Sequence, residues 1–230
     1  MVHPLRRPHQ YLSLWFTLPS RIRKLREQGT VHDWVDFAFS SPFTPLQVRR
    51  EITELLEFLV PRRPKTILEI GTAAGGTLLL LTLAAAPSAT VVSVDMPRGK
   101  FGGYHLWEAP YFRRFVVSSQ RLELLRADSH SFSTLQSVRG ILAGRPLDVL
   151  FIDGDHTYGG AKADWEMYSP LMSPDGLVAF HDIVPQPPEA GCEVHILWQE
   201  LKGRFKHHSE IVANPGQMWT GIGVLWPRDA

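Results

Sequence analysis

Residues 66–77 read Thr-Ile-Leu-Glu-Ile-Gly-Thr-Ala-Ala-Gly-Gly-Thr, and this stretch decides the predicted fold. Its first five residues form a short apolar run, which is typical of a parallel strand that is covered on both faces. Gly71 then allows a sharp turn where a side chain would clash, and the apolar segment up to Pro87 predicts a helix. Such a turn presents backbone N–H groups at the carboxyl edge of a sheet, where open α/β folds bind their ligands.

Strands and helices alternate along the rest of the chain. Strands are predicted at residues 66–70, 90–94, 122–126, 147–152 and 177–180, and helices at residues 75–86, 109–119, 132–143 and 161–171. This alternation predicts an α/β fold with a doubly wound, mostly parallel sheet. A further helix near residues 192–201 and two apolar runs, at 210–213 and 221–226, predict an antiparallel hairpin that completes seven strands.

The first 43 residues are interpreted as an N-terminal arm or partial lid, ahead of one domain at residues 44–230. The arm is rich in aromatic residues and is predicted to be irregular, with one helix near residues 20–28. It could pack on its own domain or form the contact of a homo-oligomer. A helix is expected to start at residues 44–47, where Thr44 can cap it, Pro45 suits its first turn and Gln47 can complete a capping box.

Composition argues against several classes of protein. The 230 residues carry a net charge of +1, which gives no basis for binding nucleic acid. No apolar run reaches the roughly 18 residues of a membrane span. Cys192 is the single cysteine, so an internal disulfide is excluded and a reducing, cytoplasmic location is expected.

Acidic residues mark the ends of the predicted strands. Asp95, Asp128, Asp153 and Asp182 end or follow four of the parallel strands, and Glu69 lies one residue inside the end of the first. Each acid alone could be a helix cap or a turn residue. Acids gathered at one sheet edge repel one another unless they bind hydroxyls, amines or cations, so the set indicates a ligand site.

The interval between Gly71 and Asp95 leaves more than one cofactor open. An acid at about this spacing contacts ribose hydroxyls in dinucleotide folds, but such folds need a second glycine where this chain has Ala73. S-adenosylmethionine has a ribose and no pyrophosphate, so it does not need that glycine, and Glu69 could orient its amine through water or the loop backbone. A nicotinamide-dependent oxidoreductase and a non-catalytic cofactor-binding module remain as alternatives.

Three stretches of the chain resemble a known enzyme family. Residues 68–77 are similar to the first motif of class I S-adenosylmethionine-dependent O-methyltransferases, E-I-G-x-x-x-G-x-S/T. Residues 151–158, F-I-D-G-D-H-T-Y, and residues 171–182, L-M-S-P-D-G-L-V-A-F-H-D, resemble the later motifs of the branch with macrocin-type sugar and cephalosporin-pathway methyltransferases. The resemblance spans about residues 45–226 and implies the Rossmann-like methyltransferase fold.

The resemblance also implies roles for individual residues. Cofactor contacts would come from Glu69, Gly71, Thr72, Gly75, Asp95, Asp153 and, on the adenine side, Asp128 and Ser129. Metal-dependent members carry an acid pair after the fifth strand, where this chain has His181 and Asp182. Asp153, His181 and Asp182 could bind Mg²⁺ or another divalent ion. Alternatively, Asp182 would hold a loop and His181 would pack at the sheet edge.

Methyl transfer to a hydroxyl requires that the acceptor lose its proton, either to a general base or through a bound cation. His156 lies three residues after Asp153, in the loop that leaves the fourth strand. We therefore predict His156 as the general base and His181 as the second candidate. The predicted reaction is O-methylation of a small molecule, such as a sugar or a natural product.

Overall fold

The computed structural model describes residues 8–97, 103–117 and 119–227, which contain a seven-stranded sheet. The strands are β1 (Thr66–Ile70), β2 (Thr90–Val94), β3 (Arg121–Leu125), β4 (Leu147–Ile152), β5 (Met172–His181), β6 (His208–Ile211) and β7 (Ile222–Leu225). Their order is β3-β2-β1-β4-β5-β7-β6. Strands β1 to β5 are parallel, and β7 runs antiparallel between β5 and β6. The predicted fold class and the antiparallel C-terminal strands are confirmed.

Three helices precede the first strand of the sheet, and the others lie between strands. They are α1 (Pro8–Gln28), α2 (Val31–Ser40), α3 (Arg49–Leu59), α4 (Gly76–Ala84), α5 (Ala109–Phe112), α6 (Phe132–Leu142), α7 (Tyr158–Tyr168) and α8 (Val194–Lys202). Within the described ranges, no helix combines the length and the apolar character that a bilayer crossing needs.

Two apolar clusters cover the two faces of the sheet, which explains the continuous apolar run of β1. Ile67 packs in the cluster that contains the leucines of α4, whereas Leu68 and Ile70 pack in the cluster beneath α6, α7 and α8. The chain runs from β1 to β2 on one side and returns to β4 on the other. The carboxyl ends of β1 and β4 therefore form the switch point at which open α/β sheets bind ligands.

The N-terminal arm is helical, so the prediction of an irregular segment is wrong, although the helix predicted near residues 20–28 lies within α1. One face of α1 is buried against the core, and its members are spaced by three or four residues: Tyr11, Leu14, Leu18 and Ile22. Pro19 lies inside the helix, and the pattern was obscured because proline usually ends a helix. Leu12 and Phe16 point the other way and are 68% and 84% exposed.

The helix predicted to start at residues 44–47 begins later. α3 starts at Arg49, its N-cap residue is Val48, and no side chain caps it. The Thr44 hydroxyl donates instead to the carbonyl of Ser41 at 2.9 Å. The predicted capping role of Gln47 is therefore wrong, and its side chain is available for a contact at the sheet edge.

Two other elements differ in length from the prediction. The helix expected at residues 109–119 is reduced to the single turn of α5, and β5 begins at Met172 rather than at residue 177. The remaining boundaries agree with the prediction to within three residues.

Candidate functional site

The turn after β1 requires glycine at two positions. Gly71 has φ of 91°, and a Cβ there would lie 2.0 Å from the backbone oxygen of Asp153. Gly75 has φ of 85°, and a Cβ there would overlap the ring of Phe112 at 2.5 Å. The N–H of Asp153 donates to the carbonyl of Ile70 at 2.9 Å. The turn therefore packs directly on the chain that leaves β4.

Asp95, at the end of β2, fixes the turn from the other side. Its Oδ1 accepts the N–H groups of Thr72 at 2.9 Å and Ala73 at 3.4 Å, and its Oδ2 accepts the N–H of Tyr104 at 2.8 Å. Burial raises the pKa of Asp95, and these three donors oppose the rise. The turn is thus ordered by the protein itself, and a ribose at Asp95 would use the remaining lone pairs of the carboxylate.

Glu69 is completely buried next to the turn, and neither of its carboxyl oxygens has a well-formed hydrogen bond among the described residues. Burial, with the nearby Asp95 and Asp153, raises its pKa well above the ordinary value, although the Thr72 and Ser93 hydroxyls lie close enough to oppose this. A buried carboxyl without a full set of partners is costly. Its burial is consistent with an action on a ligand through water or the loop, not by direct contact.

Two histidines and two aspartates form a cluster beside the turn. Asp153 Oδ1 lies 3.1 Å from His181 Nδ1 and 3.6 Å from His156 Nε2. Asp182 Oδ2 lies 3.0 Å from His156 Nδ1, and its Oδ1 lies 3.5 Å from His181 Nδ1. The ligand atoms of Asp153, His181 and Asp182, the predicted metal set, lie within 4.8 Å of one another.

In this cluster, the ion pairs between histidines and aspartates shift the pKa values more than burial does. Burial lowers the pKa of His156, but Asp182, Cys192 and Asp153 raise it to about 10. Burial also lowers the pKa of His181, but Asp153 and Asp182 raise it well above the ordinary value. The two histidines in turn hold the pKa of Asp182 far below its usual range, against the effect of burial. The two carboxylates therefore favour the protonated form of both imidazoles.

Asp182 also carries backbone strain. Its φ of 63° is in the left-handed region, which costs roughly 1–2 kcal/mol for a residue with a side chain. Such strain concentrates at functional sites, where the surrounding structure imposes it. The Nε2 atom of the neighbouring His181 is buried and has no hydrogen-bond partner among the described residues.

Gln47 is a site residue that the sequence did not reveal. Its buried side chain donates from Nε2 to Asp153 Oδ2 at 2.6 Å, and its Oε1 accepts the Thr77 hydroxyl at 2.5 Å. Gln47 therefore joins the first turn of α4 to the histidine–aspartate cluster. It lies 106 residues from Asp153, and no local pattern signals a contact at that separation.

Asp128 and Ser129 are engaged elsewhere. Asp128 Oδ1 accepts the N–H of His130 at 2.9 Å, and the carbonyl of Ser129 accepts the Tyr168 hydroxyl at 2.7 Å. In the described part of the chain, neither side chain forms a hydrogen bond with the glycine turn or with the cluster. Their role at the adenine stays a prediction.

Known proteins match this chain in sequence and in structure. Residues 68–183, half of the chain, match the family model described as a methyltransferase domain. The uncharacterized protein y4gI of Sinorhizobium fredii (strain NBRC 101917 / NGR234) is 30% identical over 142 residues, which are 60% of this chain and 15% of that relative. The chain thus spans about one seventh of the relative's length.

Solved structures share the fold at low identity. The O-methyltransferase TomG of Streptomyces achromogenes, which is involved in tomaymycin synthesis and was solved with S-adenosylmethionine, has a TM-score of 0.58 at 18% identity, over 96% of this chain and 97% of TomG. MycE, a methyltransferase from the mycinamycin biosynthetic pathway solved with Mg and SAH, has a TM-score of 0.55 at 14% identity, over 85% of this chain and 53% of MycE.

The family match covers both parts of the site, from the glycine turn after β1 to Asp182 after β5. The predicted resemblance to class I S-adenosylmethionine-dependent methyltransferases is confirmed by that match and by the fold. The chain belongs to the methyltransferase-domain family.

Proposed function

We propose that the protein transfers a methyl group from S-adenosylmethionine to a hydroxyl oxygen of a small molecule, such as a sugar or a natural product. The observation that carries the proposal is the direct packing of Gly71 on Asp153, which joins the cofactor turn to the histidine–aspartate cluster. TomG was solved with S-adenosylmethionine and is named an O-methyltransferase, which supports this donor and this kind of acceptor atom.

The glycine turn fits the proposed cofactor. Gly71, Thr72 and Gly75 would hold its amino-acid part, and Asp95 its ribose. When bound, S-adenosylmethionine supplies an electrophilic methyl group on its sulfonium. The protein's task is to align this group with the acceptor and to exclude water. Asp95 contributes to this alignment because it orders the turn before the cofactor binds.

His156 is proposed to remove the proton of the acceptor. Asp182 binds its Nδ1 and fixes the plane of the ring, and we assign proton transfer to Nε2. The side chain is 20% exposed, so a substrate can reach it, whereas His181 is only 5% exposed. This difference supports His156, rather than His181, as the base.

We propose that a divalent cation is held by Asp153, His181 and Asp182. Mg²⁺ accepts the two carboxylates but prefers oxygen to the imidazole, whereas Mn²⁺ or Fe²⁺ suits all three ligands. MycE was solved with Mg, which supports the proposal of a divalent cation at this site. When bound, a cation would lower the pKa of an acceptor hydroxyl and offset the carboxylate charges that keep His156 protonated.

Calorimetry of the metal-supplemented protein tests the choice of cofactor. We expect heat of binding with S-adenosylmethionine and none with NAD, because Ala73 occupies the position where a pyrophosphate needs glycine. Transfer of labelled methyl groups to a panel of sugars and phenols then tests turnover. Heat on addition of NAD alone would favour the oxidoreductase alternative, and binding of S-adenosylmethionine without turnover on any acceptor would favour a non-catalytic module.

Gln47→Leu tests the link between the two parts of the site. The substitution removes a hydrogen bond to the Asp153 carboxylate, and bonds to charged groups contribute about 1.5–3 kcal/mol. We expect kcat to fall about tenfold or more with little change in affinity for S-adenosylmethionine. Gln136→Leu, at an exposed position on α6, is the matched control. Equal kcat values for the two variants would show that Gln47 has no positioning role.

Three further expectations stay predictions. They are the cytoplasmic location, the lack of a nucleic-acid partner, and a homo-oligomer formed through the N-terminal arm. The exposed Leu12 and Phe16 side chains on α1 support the last of these, because large apolar side chains gathered on one face often mark a contact surface.

A further inference from the structure

A second group of potential metal ligands lies beside the first. His156, Asp182 and Cys192 each offer one ligand atom, and these atoms lie within 4.8 Å of one another. The group shares Asp182 with the set of Asp153, His181 and Asp182 but differs in chemistry, because it contains the chain's single cysteine. Cys192 is 7% exposed and lies in the segment between β5 and α8.

The backbone holds Cys192 next to His156. The N–H of Glu193 donates to the carbonyl of His156 at 2.7 Å, and the Glu193 carboxylate accepts the N–H of Tyr158 at 3.0 Å. The Cys192 thiol lies close enough to the His156 ring to raise the pKa of the imidazole. The loop after β4 and the segment before α8 are therefore joined at Glu193, the residue that follows Cys192. Since the three ligand atoms already lie within 4.8 Å of one another, they need no large backbone movement to meet one ion.

The donor set selects a class of ion. Sulfur, imidazole nitrogen and carboxylate oxygen together suit Zn²⁺, which binds sulfur at about 2.3 Å and nitrogen at about 2.0 Å. Magnesium prefers oxygen ligands and gains nothing from a thiolate. Three protein ligands leave a fourth tetrahedral position for water.

We propose that His156, Asp182 and Cys192 form a site for a thiophilic divalent ion such as Zn²⁺, and that this ion inhibits the enzyme. The inhibition rests on the proposed function, in which His156 is the general base. When an ion occupies one nitrogen of a neutral imidazole, the other nitrogen carries the remaining ring proton, so the ring has no lone pair left to accept the proton of a substrate. The same side chain thus serves catalysis when the thiophilic ion is absent and metal binding when it is present.

Cobalt titration of the full-length, metal-free protein tests the site without any assay of activity. Co²⁺ bound to a thiolate gives an intense charge-transfer absorption in the near ultraviolet, and Cys192 is the only thiol that can produce it. We expect the band in the wild-type protein and its loss in Cys192→Ser. Asp182→Asn and His156→Gln should each weaken the Co²⁺ affinity at least tenfold.

Matched controls separate this site from general metal binding. Asp36→Asn and His32→Gln change exposed residues of the same types on α2 and should leave the Co²⁺ affinity unchanged. Circular dichroism shows whether each variant is folded. Absence of the band at saturating Co²⁺ in the wild-type protein would overturn the proposal and leave Cys192 as a buried packing residue. A band with unchanged affinity in folded Asp182→Asn and His156→Gln would also overturn it, because cysteine alone would then bind the ion.

The inhibition is measured separately, as the ratio of turnover with and without added Zn²⁺ for each variant. We expect the Zn²⁺ concentration that halves turnover to rise at least tenfold in Cys192→Ser. An unchanged value in that variant would overturn the inhibitory role. If no acceptor is methylated by any variant, the proposed function fails, whereas the cobalt band still decides whether the site exists.

Discussion

His156→Ala is expected to lower kcat by about 10²- to 10⁴-fold, the usual contribution of a general base. The change removes the imidazole that lies 3.0 Å from Asp182 and 3.6 Å from Asp153. Binding of S-adenosylmethionine should persist, because the glycine turn and Asp95 form their contacts without His156. The fold should persist as well, since the side chain lies at the edge of the sheet and is partly exposed.

The measurement compares kcat, calorimetric affinity for S-adenosylmethionine and circular dichroism in His156→Ala and His32→Ala. His32 is exposed on α2, so its variant controls for the loss of an imidazole elsewhere. Imidazole added to the buffer should restore part of the lost turnover, which a purely structural role of His156 would not allow. A kcat for His156→Ala within twofold of the wild-type value would rule out His156 as the base.

The strands can be predicted from the sequence because a strand that is buried on both faces is a short, continuous run of apolar residues. The bounds of β1, β2 and β4 coincide with the predicted ones, since each is a short apolar run buried on both faces. Of α1, the sequence predicts only the part after Pro19, near residues 20–28, because a proline lies within the helix and because aromatic residues on its two faces obscure the helical period. Its burial depends on the distant core of the sheet, which a local pattern does not contain.

The candidate site was predictable where topology brings residues together. The ends of parallel strands meet at one edge, so Asp153, His181 and Asp182 converge as the strand order requires. Gln47 and Cys192 reach the same place from segments outside the strands, and nothing in their neighbours signals it. Asp95 was expected at a ribose, but its contacts with the turn backbone follow from loop geometry that one sequence does not specify.

Gly71→Ala should be the most destabilising small substitution at the site. A Cβ at residue 71 would lie 2.0 Å from the backbone oxygen of Asp153, and a backbone atom cannot turn aside as a flexible side chain can. The φ of 91° adds strain for any residue with a Cβ. Left-handed strain alone costs about 1–2 kcal/mol, so with the clash we expect a loss of roughly 3 kcal/mol or more in the free energy of unfolding.

Gly140→Ala is the control with the opposite expected sign. Gly140 lies within α6, and a Cβ there would meet no atom within 4 Å. Alanine in a helix is favoured over glycine by about 0.5–1 kcal/mol, so this variant should be more stable than the wild-type protein. Urea unfolding measures both changes in the free energy of unfolding. The dependence of that free energy on urea concentration should be the same in all the variants. Similar shifts in the two variants would contradict the steric explanation.

A comparison of Gly71→Ala with His156→Ala distinguishes the packing of the site from its chemistry. If Gly71→Ala remains folded, the turn and the backbone of Asp153 must move apart. We expect this shift to change the contacts of the Asp153 side chain with Gln47 and His181. Affinity for S-adenosylmethionine and turnover should then fall together, because one displacement affects both parts of the site. His156→Ala, in contrast, should lower turnover alone. A Gly71→Ala protein that kept full turnover would show that the close packing of the turn on Asp153 is not what couples cofactor binding to deprotonation of the acceptor.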